Sequence, residues 1–100
     1  KGTMISVSII TVLLIIFSSI SVLIVENNPA STIKTANDAL WWTIETITSV
    51  GYGDMYPVTI EGRIIGSILM ISGVGIFGVF TAYVASLFVV DNQKIETEKN

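Results

Sequence analysis

Residues Thr48 to Asp54 read T-S-V-G-Y-G-D, with glycine at alternate positions, Gly51 and Gly53, around Tyr52 and a carboxylate directly after. Alternate glycines weaken a strand and break a helix. What they permit is a strand in which every second residue takes a left-handed φ, so that successive carbonyls aim at one axis. The carbonyls of Ser49, Val50, Gly51 and Tyr52, with the Ser49 hydroxyl, would then form stacked rows of oxygen, a cage that replaces the hydration shell of a metal cation. One chain supplies one column, so enclosing a dehydrated ion needs several chains around an axis. A turn between two helices needs one such glycine, not an alternating pair. Other chemistry is scarce. The chain has no cysteine and no histidine, which removes disulfides, thiolate metal sites and the commonest general base.

The elements that must position this strand are apolar. Of the 100 residues, 51% are hydrophobic and 13% charged, against roughly 25% charged in soluble domains. No charge lies between Gly2 and Val25 or between Ile64 and Val90, and each run exceeds the ~20 residues that cross a bilayer core. The sequence predicts an all-α membrane protein with an outer helix over 3–25 and an inner helix over 63–91. The first run is longer than the apolar region of a signal peptide, and V-E-N-N-P lacks a small-residue cleavage site. A net charge of −3 argues against a nucleic-acid partner.

The connector from Glu26 to Arg63 holds both prolines, both tryptophans and seven of the thirteen charges. Its first part, 26–38, reads as a loop. Residues 39–48 read as a short helix, with Thr35 as N-cap and Asp38 three residues on in a capping-box arrangement. Ten apolar residues do not span a bilayer; that length fits a re-entrant segment, and non-helical backbone at membrane depth must be buried in protein or line a watery cavity. A glycine-punctuated strand over 48–54 and a loop over 55–62 follow. The tail, 92–100, carries Lys94 and Glu98 at helical spacing and is expected to prolong the inner helix into water. Lys1, Lys94 and Lys99 at the termini against Lys34 and Arg63 in the connector leave orientation by positive charge undecided.

The run W-W-T-I-E-T-I-T-S-V-G-Y-G-D-M-Y-P-V-T resembles the pore helix and selectivity filter of tetrameric potassium channels. The whole chain resembles the pore domain of bacterial members, either a small two-span channel or the pore module of a voltage-gated one. The resemblance implies a homotetramer in the lipid bilayer of the cell membrane, both termini cytoplasmic. It implies no cofactor beyond potassium ions held in the filter by Thr48, Ser49, Val50, Gly51, Tyr52 and Gly53, and gating by a voltage sensor or regulatory domain outside this chain. Trp41, Glu45 and Asp54 would form a hydrogen-bonded cuff behind the filter, the two carboxylates sharing a proton. Tyr56 would ring the external mouth. Gly73 and Gly78 take the positions of gating hinges, with close helix packing as the alternative, and Thr81, Ala82, Val84 and Ala85 those of the inner constriction. One departure stands out: the family usually has threonine where this chain has Ser49, so the hydroxyl survives without the methyl that stiffens χ1.

Three rivals remain. Gly73-Val-Gly-Ile-Phe-Gly78 matches a dinucleotide-binding motif, but it sits inside an uncharged run rather than opening an amphipathic helix. A two-span assembly protein could pair through Gly62-x-x-x-Gly66, yet it gives the alternating glycines no role. A channel passing sodium as well as potassium is closer, though such relatives commonly lack the filter tyrosine.

Overall fold

The computed structural model describes residues 2–99; Lys1 and Asn100, the outermost residues of the two termini discussed above, lie outside it. It contains three helices: α1 (Gly2–Val25), α2 (Ala36–Ile47) and α3 (Ile60–Lys99). α1 and α3 are long and apolar enough to cross a membrane, and both pack on the short α2.

α2 and α3 each start where a side chain satisfies orphan N–H groups. Thr35 accepts from the Asp38 N–H at 3.1 Å, and Asp38 Oδ2 accepts from the Thr35 N–H at 3.1 Å, a reciprocal capping box. It starts α2 at Ala36, three residues before the expected 39. α3 likewise begins at Ile60 rather than 63, because the Thr59 hydroxyl accepts from the Gly62 N–H at 2.9 Å. The tail is part of α3: nothing between Asp91 and Lys99 breaks the helix, and glycine and proline are absent there. Forty residues at ~1.5 Å each make a rod about 60 Å long, roughly twice the hydrocarbon thickness.

The fully buried apolar core is small: Val22, Ile33, Ala39, Trp42, Ile47 and Leu69, with Leu14, Ile15, Leu23, Met55 and Ile76 packed around it. Most other large apolar side chains are exposed on the single chain, as suits a protein whose remaining surface meets lipid or other copies. A polar tie joins α1 to α2, where the Ser19 hydroxyl donates to Thr43 Oγ1 at 3.1 Å.

α3 meets the rest of the chain along Gly62, Gly66, Leu69 and Gly73, all buried and spaced along one helix face. Small residues let backbones approach closely. A Cβ on Gly66 would lie 3.2 Å from Trp42 Cζ2, and one on Gly73 would collide with the carbonyl of Ile47 at the end of α2. The Gly62-x-x-x-Gly66 pair is thus consumed inside the chain and is not free to pair two copies. The dinucleotide-like glycines lie within an unbroken helix, without a strand before them. Gly73 packs closely on the end of α2, while a Cβ on Gly78 would meet nothing within 4 Å.

Gly73→Ala should therefore cost about 1–3 kcal/mol through overpacking, whereas Gly78→Ala should be neutral or stabilise by up to ~1 kcal/mol. Thermal unfolding of the two variants in the same detergent checks this; equal melting temperatures would refute the Gly73–Ile47 contact.

Candidate functional site

The strand after α2 inherits its direction from the helix end. Thr48 N–H donates to Ile44 O at 3.1 Å, Ser49 N–H to Thr46 O at 3.1 Å, and Gly51 N–H to Glu45 O at 2.9 Å. Three of the last carbonyls of α2 are thereby satisfied by the strand itself. The Thr48 hydroxyl also turns back, donating to Ile44 O at 2.7 Å.

Beyond this point the backbone alternates. Ser49 (φ 66°), Gly51 (φ 58°) and Gly53 (φ 91°) are left-handed, while Val50 and Tyr52 between them are not. The two glycines were legible in the sequence; the third left-handed position was not, because serine carries no such signature. Ser49 is the only non-glycine residue with positive φ among those described, a conformation costing an L-residue roughly 1–2 kcal/mol. No backbone N–H among the described residues donates to the carbonyls of residues 49 to 53. The side chains of Val50 and Tyr52 are exposed on the single chain.

Three of the sequence-selected residues meet behind the strand. Trp41 Nε1–H donates to Asp54 Oδ2 at 2.8 Å, and the Trp41 ring stands edge-on to Tyr52, centroids 6.1 Å apart at 80°. Glu45 is buried with neither carboxyl oxygen receiving a hydrogen bond. Burial raises its pKa, and the neighbouring Asp54 carboxylate raises it further. Both effects disfavour the charged form of Glu45.

Tyr56 follows the strand, its side chain half exposed and its backbone held by Thr32: the Tyr56 N–H donates to Thr32 Oγ1 at 3.0 Å, and the Thr32 hydroxyl to Tyr56 O at 3.3 Å. Gly78, Thr81, Ala82, Val84 and Ala85 lie far along α3, all exposed on the single chain. The structure does not bring them into contact with the strand.

The residue that sequence reasoning missed is Glu26. Its buried carboxylate accepts from the Ser31 hydroxyl at 2.6 Å, the Val58 N–H at 2.9 Å and the Thr59 N–H at 3.0 Å, as well as the Thr59 hydroxyl. A capping box would place a carboxylate three residues after Thr59, but that position is Gly62. Glu26 supplies it from another element, and a Cβ on Gly62 would strike it. Its charge sits unfavourably at the C-terminus of α1 and favourably at the N-terminus of α3. Burial acts to raise its pKa, but the donors from Ser31, Thr59 and Val58 outweigh it, so the value is lowered. The available signals were the first charge after 24 uncharged residues and a Thr-x-x-Gly cap lacking its acid.

Two spanning helices, a re-entrant helix between them and a strand of alternating left-handed residues are the parts of a membrane pore. A family profile described as ion channel matches residues 8–90, and the chain belongs to that ion-channel family. Among characterised proteins it is similar to the calcium-gated potassium channel TvoK of Thermoplasma volcanium, 39% identical over 75 residues covering 75% of this chain and 22% of the relative. It is also similar to the voltage-gated potassium channel of Aeropyrum pernix, 38% identical over 77 residues, 76% of this chain and 26% of that protein. The chain spans about a quarter of the length of these relatives. The fold is shared with the crystal structure of a voltage-gated K+ channel pore module in a closed state in lipid membranes. The TM-score is 0.77 at 38% identity, covering 87% of this chain and 91% of the other.

The two buried glutamates should respond to pH with opposite signs. Glu26, with its pKa lowered when folded, stabilises above the ordinary value of 4.5, and this is lost as the pH falls through the folded value. Glu45, with its pKa raised, favours the fold below 4.5 and loses that contribution as the pH rises through its raised value. Melting temperature against pH should lose its acid limb in Glu26→Gln, with a cost of about 1.5–3 kcal/mol at neutral pH. Glu45→Gln should flatten the limb on the other side.

Proposed function

We propose that this chain forms the pore of a potassium-selective channel and that it works as a homotetramer. The observation that carries the reading is the alternation of left-handed residues at 49, 51 and 53, which leaves five consecutive carbonyls without a backbone donor. At membrane depth such groups need a partner, and four copies about an axis would give them one in a dehydrated cation. Thr48 to Gly53 then line the filter, and Ser49, Val50, Gly51 and Tyr52 supply the carbonyl rings, joined at the inner end by the Ser49 hydroxyl. The names of the relatives support potassium as the ion.

The remaining residues act through the filter or below it. Trp41, Glu45 and Asp54 hold it from behind: the indole bond to Asp54 fixes the outer end, while a neutral Glu45 adds no charge beside the conduction path. Tyr56 lines the outer mouth. The C-terminal end of α2, with its partial negative charge, favours a cation in the cavity below the filter. Gating bends or tilts α3: Gly73 is a fixed contact with α2, Gly78 a free position below it, and Thr81, Ala82, Val84 and Ala85 narrow the inner passage. Both termini face the cytoplasm, and a voltage sensor or regulatory domain outside this chain drives the gate.

Rubidium flux into potassium-loaded liposomes tests conduction, and cross-linking should give a ladder ending at four. Flux carried by a stable monomer, or sodium passing as readily as potassium, would overturn the reading. Ser49 gives a sharper test. Without a β-methyl its hydroxyl leaves the liganding rotamer more readily, at a cost of no more than ~1 kcal/mol, or about five-fold in occupancy. Single-channel block by internal barium should strengthen in Ser49→Thr and weaken in Ser49→Ala. Equal block in all three proteins would show that the hydroxyl touches no ion.

A further inference from the structure

From Tyr52 to Val58 no backbone group bonds to another among the described residues. Side chains hold the segment that follows the strand. Trp41 takes the Asp54 carboxylate, and Glu26 takes the Val58 and Thr59 N–H groups. Met55 packs against the core, and Pro57 lies beside Gly62 and Gly66 of α3. Tyr56 sits between these two, and both of its backbone groups go to one atom. The Thr32 hydroxyl oxygen accepts from the Tyr56 N–H at 3.0 Å, and its proton goes to Tyr56 O at 3.3 Å. A hydroxyl is donor and acceptor at once, so this side chain does for Tyr56 what a neighbouring strand does with an N–H and a C=O.

The clamp is fixed at its own end. Ser31 and Ile33, on either side of Thr32, are buried. The Ser31 hydroxyl donates to Glu26 at 2.6 Å and accepts from the Ile33 N–H at 3.1 Å. Branching at Cβ restricts the Thr32 side chain further. The other end has no comparable support. The Tyr56 ring is half exposed and stands against no other ring among the described residues. Its place is therefore set through its backbone, and the backbone is set by Thr32.

We propose that Thr32 is a positioning residue for the outer mouth: its hydroxyl clamps the Tyr56 backbone to the loop before α2 and so decides where the Tyr56 ring stands. The role of the ring rests on the channel reading, whereas the clamp does not. In that reading Tyr56 offers the face of its ring to a cation arriving from outside. A ring whose backbone drifts makes that contact less often. Threonine and serine can both form the clamp, and valine, of the same shape as threonine, cannot.

The test compares the unmodified protein, Thr32→Val and Thr32→Ser by two measurements. Hydrogen exchange of the Tyr56 amide, followed by NMR in lipid nanodiscs, reads the clamp. Block of potassium current by external tetraethylammonium reads the position of the ring. Thr32→Val should speed exchange at Tyr56 about ten-fold and weaken block roughly five-fold, as expected for the loss of one or two hydrogen bonds. Thr32→Ser should keep both near their starting values, and amides within α2, such as that of Trp42, should not change. Unaltered exchange at Tyr56 in Thr32→Val would overturn the clamp. Faster exchange with unaltered block would overturn the positioning role, and faster exchange spread equally through α2 would reduce Thr32 to a general stabiliser. If Thr32→Val does not assemble, the unmodified protein still decides: a Tyr56 amide that exchanges as fast as in a free peptide overturns the proposal. An unmodified protein that carries no potassium current would sink the channel reading, and with it the role of the ring, while exchange at Tyr56 judges the clamp separately.

Discussion

A peptide carbonyl inside a membrane costs several kcal/mol if nothing bonds to it, and this chain concentrates that cost in one short strand. The helices on either side satisfy their own backbones. Residues 49 to 53 do not, because left-handed φ at every second position turns them away from any ladder. Much of the remaining structure follows from keeping such a strand in place. Its N–H groups at 49 and 51 are tied to the last turn of α2, its tyrosine stands against Trp41, and its end is fixed through Asp54. The strain at Ser49 persists because these contacts over-determine the position.

The frame around the strand is held by few polar groups, each used heavily. Glu26 joins the end of α1, the loop at Ser31 and the start of α3, and Thr32 extends that frame to the backbone of Tyr56. Charge at this point is tolerated because four donors surround it. Glu45 is the opposite case, a buried acid with no donors, whose pKa burial and Asp54 push up. The two carboxylates, 19 positions apart in the chain, are thus shifted in opposite directions, one by its donors and one by its burial.

How much of this was legible depended on how far each signal had to reach. The spans, the Thr35–Asp38 cap and the alternating glycines are local, and the sequence displays each of them within a few residues. Glu26 was not legible, because its donors at Val58 and Thr59 lie more than thirty residues away. The glycines of α3 were ambiguous for a different reason. Both long helices are apolar all round, so periodicity does not reveal which face packs inward. Gly62 and Gly66 therefore suggested pairing between copies, and Gly73 a hinge or a packing contact; the structure sets Glu26, Trp42 and the Ile47 carbonyl against them. Ser49 joined the left-handed set only because the helix end before it and Gly51 after it fix the turn.

The length of α3 has a mechanical consequence. Gly73 of this helix lies close against the carbonyl of Ile47, and the helix runs on without interruption to Lys99. At ~1.5 Å per residue the arm beyond that fulcrum is about 39 Å long. A tilt of about 10° there sweeps the far end through roughly 7 Å, while the backbone at the Ile47 contact itself hardly moves. A swing of the tail is thus taken up along the arm, and the strand that begins at Thr48 keeps its place on the end of α2.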